Sequence, residues 1–210
     1  MSAIILLLST ASLVENASYT MDNPAKWARH IYGERLEFII NRNDKPVGQH
    51  IVEFGHTDGL DEVKSSTEIN IKFLFITAYK FNLSASEYWA LDGLSRVESN
   101  SNDGGSKNVL LKNFDQNNDL LPTSHWNPLI LNDTKVYNTI TGKINSIKIY
   151  PIGWDKVPTN LGIRDAYRYD YHGDLNDVSA WYDDKGRWVS LKFIARDGSV
   201  ISYECVKCGT

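Results

Sequence analysis

The sequence has no excess of positive charge and no long apolar run, and each of these absences excludes a class of protein. Its 22 Lys and Arg residues are outnumbered by 26 Asp and Glu residues, which gives a formal net charge of −4. Proteins that bind nucleic acid through its phosphates normally carry a basic excess, so we expect no nucleic-acid partner. The apolar run at residues 3–8 is far shorter than the roughly 20 residues needed to cross a bilayer, so we expect no integral membrane span.

Common signatures of catalytic and metal sites are also missing. No Gly-x-Ser-x-Gly motif presents a nucleophilic serine, and no glycine-rich phosphate-binding loop follows a predicted strand. His50 and His56 fall on one face of a predicted strand, yet no carboxylate or cysteine from the nearby sequence joins them as a metal ligand. We therefore predict no metal and no cofactor.

The amino terminus resembles a secretory signal peptide. Residues 1–18 combine a short apolar run with small residues, although no Lys or Arg precedes the run. An ordered first strand or helix is the alternative. We expect residues 1–18 to be a signal peptide, residues 19–210 to form one domain, and the protein to be periplasmic or secreted.

The only two cysteines are Cys205 and Cys208, which form a Cys-x-x-Cys motif near the carboxyl terminus. A redox-active pair favours the amino terminus of a helix, and a zinc site needs two further ligands; the sequence indicates neither. In an oxidising compartment a disulfide would hold the end of the chain in place, and two unreactive thiols are the alternative.

Helix signals are few, and the dominant hydrophobic period is two. Apolar side chains recur at alternate positions over residues 63–81, with an expected break or bend near Lys72 and Phe73, and again over residues 189–195. These patterns predict an all-β fold: a strongly curved antiparallel sheet of about nine to eleven strands, between a half-barrel and a closed barrel, with one or two short helices. Turn sequences stand at hairpin spacing at residues 43–46, 102–105, 183–186 and 196–199, and Asn23 and Pro24 begin the first predicted helix.

The carboxyl-terminal region gives the most detailed prediction. Residues 177–204 should form three consecutive antiparallel strands, because two turn sequences interrupt one alternating pattern. We expect Trp181 and Trp188 to lie near cross-strand positions on either side of the first turn. The side chains expected to be buried together on the core-facing side are Val189, Leu191, Phe193, Ile201 and Tyr203.

Four segments carry a family resemblance. They are RLEFIINRNDKPVGQHIVEF at residues 35–54, SASEYWALDGLSRVES at residues 84–99, TSHWNPLIL at residues 123–131 and YRYDYHGDLNDVSAWYDDKGRWVSLKFIARDGSVISYE at residues 167–204. Together they resemble a family of uncharacterised bacterial exported proteins, a domain of unknown function. The Trp-Tyr-Asp hairpin and Asp-Gly-Ser turn of the last segment are similar to those of a broader periplasmic group like the LolA/LolB lipoprotein carriers. The resemblance implies a curved antiparallel sheet over a lipid-sized cavity, and it implies no catalytic residues.

His125 and Glu87 are the strongest candidates for acid–base chemistry. His125 stands beside Trp126 in the densest polar and aromatic cluster and could move a proton near neutral pH. The alternative is an ordered loop in which Trp126 plugs one end of the barrel. Glu87 alternates with Trp89 on one strand face, where an apolar pocket would raise its pKa and make it a general acid. Its alternative is a strand-edge charge beside a core tryptophan.

Tyr167, Tyr169 and Tyr171 alternate on one face of a predicted strand, together with Asp165. This ladder could line a cavity for an apolar ligand, or it could pack its rings into the core. The candidate ligand-binding residues are Trp89, Trp126, Tyr167, Tyr169 and Tyr171, and the candidate catalytic residues are His125, Glu87 and Asp165.

Hypotheses from different functional classes fit these residues. The first is an exported binding or carrier protein that encloses a hydrophobic small molecule or a lipid, with at most peripheral membrane contact. The second is a small hydrolase or lyase that uses His125 with Glu87 or Asp165 as an acid–base site. A third is a scaffold that offers an edge strand to a partner. The predicted export signal, the aromatic strand faces and the resemblance favour the first.

Overall fold

The computed structural model describes residues 23–73, 76–115 and 118–209. The predicted signal peptide at residues 1–18 lies outside these residues. One helix precedes thirteen strands, and a 3-10 helix, Pro128–Asn132, stands between the seventh and eighth strands. The elements are α1 (Pro24–Tyr32), β1 (Arg35–Arg42), β2 (Lys45–Thr57), β3 (Leu60–Phe73), β4 (Ile76–Ala90), β5 (Gly93–Asp103), β6 (Ser106–Asn113), β7 (Leu121–Pro122), β8 (Lys135–Tyr137), β9 (Ile144–Thr159), β10 (Gly162–Gly173), β11 (Val178–Tyr182), β12 (Trp188–Ile194) and β13 (Val200–Lys207).

All thirteen strands belong to one curved sheet, in the order β6-β5-β4-β3-β2-β1-β13-β12-β11-β10-β9-β8-β7. Every neighbouring pair is antiparallel except β7 and β8, which confirms the predicted all-β class. The sheet has more strands than predicted, partly because the alternating pattern over residues 63–81 belongs to two strands. Phe73 pairs with Ile76, so the pattern is broken there, as one of the two alternatives predicted, and the chain reverses direction. Ile71 of β3 pairs with Tyr79 of β4, and the register shifts next to this pair. Because of this shift, the odd-numbered side chains of both strands lie on the same face of the sheet.

Hairpin turns form at residues whose side chains favour turn conformations. Asn43 and Asp44 between β1 and β2 both have positive φ, 47° and 62°, as the two-residue turn that matches strand twist requires. Asn23 caps α1 by accepting a hydrogen bond from the backbone N–H of Lys26 at 3.0 Å, which confirms the predicted helix start. The Tyr32 ring at the end of α1 stacks on Phe54 of β2 with 5.6 Å between ring centroids, so the helix covers one end of the sheet.

Cross-strand register places a continuous row of side chains on the concave face. Phe38 of β1 pairs with Cys205 of β13 on one side and with His50 of β2 on the other, and His50 pairs with Thr67 of β3. Buried side chains on this face include Leu36, Phe38, Ile40, Val52, Phe54, Val63 and Val97. Exposed polar side chains on the opposite face of the same strands include Gln49, Glu53, Lys64 and Glu68.

Side chains link the two ends of the sheet where the backbone ladder does not close. Ser99 of β5 donates its hydroxyl hydrogen bond to the carbonyl of Thr139 at 2.6 Å. Asn108 of β6 donates its side-chain amide to the carbonyl of Ile140 at 2.7 Å. The loop between β8 and β9 therefore meets β5 and β6 along a seam, which completes the barrel-like shape.

The three-strand meander predicted at residues 177–204 is present as β11, β12 and β13. Val189, Leu191, Ile201 and Tyr203 are buried as expected, whereas Phe193 is only half-buried near the end of its strand.

Trp181 and Trp188 lie near cross-strand positions, one residue away from a direct pair. A register shift between Trp181 and Tyr182 pairs Trp188 with Tyr182, and Trp181 pairs with Ser190. The Trp181 indole donates to Asp155 at 2.8 Å, while Trp188 packs 4.1 Å from the Phe38 ring in the core. The bulge places the two rings on opposite faces of the sheet.

The carboxyl-terminal cysteines are joined as a disulfide between Cys205 and Cys208, and both are buried. The backbone N–H of Asn160 donates to the Cys205 carbonyl at 2.9 Å, so the end of the chain is held against the β9–β10 turn. No helix in the described part of the chain is long and apolar enough to cross a bilayer.

Replacing Leu191 should test the face assignment of the meander. Leu191 is buried between Ala180 of β11 and Tyr203 of β13, so Leu191→Ala should lower the free energy of unfolding by about 2–4 kcal/mol. The next residue, Lys192, is exposed, and Lys192→Ala should change the free energy of unfolding by less than about 0.5 kcal/mol. Urea denaturation midpoints measure both. Similar losses in the two variants would contradict the assignment.

Candidate functional site

Glu87 occupies the inward face of β4 and is almost completely enclosed. The Trp89 indole donates to its Oε2 at 3.2 Å, and the Trp126 indole donates to its Oε1 at 3.4 Å. The Ser124 hydroxyl also donates to Oε1. Burial raises the pKa of Glu87 to about 7, because these hydrogen bonds only partly offset the loss of solvent around the charged form. The carboxyl group thus fastens the loop that carries Ser124 and Trp126 to β4.

The same loop closes one end of the half-barrel. Trp126 is buried, and its ring lies 5.8 Å from the rings of both Trp89 and Phe54. Its carbonyl accepts a hydrogen bond from the Tyr32 hydroxyl at 3.2 Å, and that hydroxyl accepts from the backbone N–H of Trp188 at 2.8 Å. We call the segment at residues 123–127 the plug. It is held by β4, by the helix and by β12.

His125 belongs to the plug but contacts a different set of residues from Glu87. Its Nδ1 lies 3.4 Å from the Tyr171 hydroxyl, and its ring lies 5.4 Å from the Trp188 ring. Burial lowers the pKa of His125 to about 4, so the ring is neutral at neutral pH. The described contacts of Glu87 and His125 share no residue, and the structure does not bring the two into direct acid–base contact.

A second histidine, His50, lies close to the first. Its Nδ1 is 2.8 Å from the Thr67 hydroxyl, and its ring is 5.6 Å from Trp188 and 5.5 Å from Tyr203. Burial, with a contribution from the neighbouring His125, lowers the pKa of His50 to about 3. In the sequence, His50 was a candidate only for a metal ligand. Its alternation with Val52 and Phe54 was the available signal that it points inward.

The tyrosine ladder of β10 runs from the core to the surface. Tyr171 is buried, whereas Tyr167 and Tyr169 are half-buried. The Tyr167 ring contacts Trp154 at 5.4 Å and Tyr169 at 5.3 Å, both measured between ring centroids. Of the five predicted ligand-binding residues, Trp89, Trp126 and Tyr171 are enclosed, and only Tyr167 and Tyr169 keep appreciable surface.

Asp165 lies apart from the other candidate catalytic residues. It is exposed on β10 and forms an ion pair with Lys156 of β9 at 2.6 Å. Within the described ranges, no three His, Cys, Asp or Glu side chains converge as a metal site.

Two depressions of the described surface have neither histidine of the pair in their lining. One of about 450 Å³ includes Gly48, Glu68 and Lys80 in its lining. The other, of about 400 Å³, includes Leu110 and Tyr137 and follows the seam beside β6. Both are open to solvent, so neither encloses a ligand.

The raised pKa of Glu87 predicts a pH-dependent stability difference between the protein and its Glu87→Gln variant. The folded-state pKa of about 7 exceeds the ordinary value of 4.5, so the folded protein holds an extra proton between these values and loses stability as pH rises through them. Glutamine keeps hydrogen-bonding capacity without this titration. Relative to the unsubstituted protein, the variant should gain roughly 3 kcal/mol between pH 5 and pH 8.

Paired denaturant titrations at pH 5 and pH 8 measure this difference, and the comparison cancels the contributions of other titrating groups. Glu68→Gln removes an exposed carboxylate from the outer face of β3 and serves as the matched control. A pH-independent difference for Glu87→Gln would show that this carboxyl group does not titrate in the window.

Comparisons with known proteins agree with the fold and assign no activity. No curated protein matches the sequence significantly. The crystal structure of a beta-barrel-like protein of the domain of unknown function DUF1849 from Brucella abortus is similar, with a TM-score of 0.55 and 9% sequence identity over 82% of this chain and 95% of that chain. At that identity the likeness shows a shared fold. Residues 38–206 match the family described as a domain of unknown function, DUF6134. Because this match runs from the first strand to the last, the protein belongs to the DUF6134 family.

Proposed function

We propose that this protein binds a hydrophobic or lipid-like ligand inside its half-barrel. The observation that supports this function is a set of apolar side chains that face the concave side and still keep part of their surface accessible. In a closely packed core such side chains would be almost fully enclosed. The set comprises Ile71, Phe81, Leu83, Tyr169, Val178 and Phe193.

These side chains form two walls. Register places Phe81 and Leu83 of β4 opposite Ile69 and Thr67 of β3, on the inward face. On the other side of the sheet, Val178 of β11 pairs with Phe193 of β12. Phe81, Val178 and Phe193 belong to one apolar cluster. Leu83 lies roughly 13 Å along β4 from Glu87 and hence from the plug. The accessible apolar surface is therefore at the end of the half-barrel opposite the plug.

Polar groups stand at the edge of this surface. The Tyr79 hydroxyl donates to Asp103 at 2.7 Å, and Arg196 in the β12–β13 turn lies 3.7 Å from the same carboxylate. Since Asp103 ends β5, this contact joins the tips of two distant hairpins. An apolar interior with a polar rim is typical of sites that take apolar ligands from water.

We propose in addition that the protein acts outside the cytoplasm, as a carrier or binding module on a scaffold like that of the LolA/LolB proteins. The apolar run at residues 3–8 supports export. The disulfide between Cys205 and Cys208 supports an oxidising compartment, where such bonds persist.

Binding of a neutral fluorescent probe, N-phenyl-1-naphthylamine, tests the proposal. The protein should enhance probe fluorescence saturably with a stoichiometry near one. Leu83→Lys places a charge on the accessible inner wall and should weaken binding by at least about tenfold, because a charge is costly to bury. Ser84→Lys places the same charge on the exposed outer face one residue away and should leave binding unchanged.

Circular dichroism of both variants checks that they fold, and the milder Leu83→Gln should give an intermediate loss. Native mass spectrometry of protein purified without detergent provides an independent readout, as a co-purifying apolar molecule. Absence of saturable probe binding, or equal effects of the lysine substitutions at positions 83 and 84, would overturn the proposal.

A further inference from the structure

Two imidazole rings mark the inner end of the proposed binding space. The rings of His50 and His125 lie 5.6 and 5.4 Å from the ring of Trp188, which they share as a neighbour. Each ring uses Nδ1 for a hydroxyl contact, His50 with Thr67 and His125 with Tyr171. The pair is therefore oriented by side chains from β3 and β10, on opposite walls of the half-barrel.

Each hydroxyl contact engages Nδ1 and leaves Nε2 as the second nitrogen atom of the ring. In a neutral imidazole one nitrogen atom donates a hydrogen bond and the other accepts one, so Nε2 can take either role toward a carboxyl group. No hydrogen bond joins either Nε2 atom to another described residue, and both histidines are only half-buried. They are polar groups available to a ligand in an otherwise aromatic setting.

The charge of the surroundings limits what these nitrogen atoms can bind. Burial lowers the pKa of both histidines, and the neighbouring His125 lowers that of His50 further. No lysine or arginine among the described residues contributes to either shift, so no cationic side chain acts strongly on the pair. A phosphate dianion would be left without the cations that usually neutralise it. A divalent metal would find no third ligand of the usual kinds in the described part of the chain. A group that can carry its own proton fits best.

We propose that His50 and His125 bind the carboxyl group of a long-chain monocarboxylic acid that lies along the apolar walls, an inference that rests on the proposed function. From Thr67, the partner of His50, the inner wall of β3 continues for roughly 13 Å to Ile71. The hydrocarbon chain occupies this wall and the carboxyl group reaches the two Nε2 atoms.

Binding in this site takes up one proton. In water near pH 7 the acid is ionised and both rings are neutral, so the bound pair reaches neutrality only when a proton enters with the carboxylate. That proton resides on the carboxyl oxygen or on an imidazole, and the total charge of the site is zero in both cases. The apparent dissociation constant of the acid should therefore rise about tenfold for each pH unit between pH 6 and pH 8.

Other titratable groups pack around the histidine pair. Burial raises the pKa of Tyr171, Tyr182 and Tyr203, so these phenols stay neutral throughout the window. Glu87, which holds the plug from β4, titrates near pH 7. The experiment is therefore repeated in the Glu87→Gln background, where the dependence on pH should be retained.

Displacement of N-phenyl-1-naphthylamine by dodecanoic acid and by its methyl ester tests the inference at pH 6, 7 and 8. The acid should show the tenfold dependence, and the ester should bind with the same affinity at each pH. His50→Phe and His125→Phe keep an aromatic ring and remove the nitrogen atoms. Each should weaken acid binding at pH 6 by at least about tenfold and leave ester binding unchanged. His172→Phe, at an exposed position on β10, is the matched control and should behave like the unsubstituted protein.

The outcomes separate this inference from the proposed function. Equal, pH-independent binding of acid and ester would overturn the histidine site and leave the apolar binding function standing. Unchanged affinity for the acid in both His50→Phe and His125→Phe would also overturn the histidine site. If neither compound displaces the probe and the probe itself does not bind, both proposals fail. Proton uptake measured calorimetrically in buffers of different ionisation enthalpy should equal one for the acid and zero for the ester.

Discussion

The buried carboxyl group of Glu87 is the constraint on which the closed end of this molecule depends. It accepts hydrogen bonds from Ser124, Trp89 and Trp126, so two indoles and a loop are oriented by one side chain. Removing any donor leaves part of a buried polar group unsatisfied, which typically costs about 1–3 kcal/mol. Because Trp126 also contacts Phe54 and the Tyr32 hydroxyl, the arrangement reaches from β4 through the plug to the helix. The depth of the half-barrel is set by this cluster.

The concave interior changes in character along its length. Near Glu87 the rings pack edge to face and leave little accessible surface, as Trp89 and Trp126 do at 81°. Around Trp188 the rings alternate with two histidines whose charge is suppressed by burial. Leu83 of β4 and Phe193 of β12 are only half-buried. The concave face thus passes from closely packed rings near Glu87 to apolar side chains that keep part of their surface accessible.

Local patterns in the sequence predict the strands and turns, because alternation and Asn, Asp and Gly at turns act over a few residues. The Glu87–Trp89 neighbourhood could be predicted for the same reason, since residues two apart on a strand share a face. The separation of Trp181 from Trp188 could not, because a bulge shifts the register and has no local signature. The histidine pair was equally hidden. His50 and His125 are far apart in sequence and meet only because the plug folds into the half-barrel between β2 and β10.

The seam beside β6 has a mechanical consequence for this fold. Neighbouring strands of the sheet are joined by backbone hydrogen bonds, so separating two of these strands breaks several hydrogen bonds together. Along the seam the described polar links are the side chains of Ser99 and Asn108, each worth about 1 kcal/mol net. The half-barrel therefore has its weakest lateral join along this seam. A separation that begins there disrupts the fewest hydrogen bonds and leaves the pairing of the rest of the sheet intact.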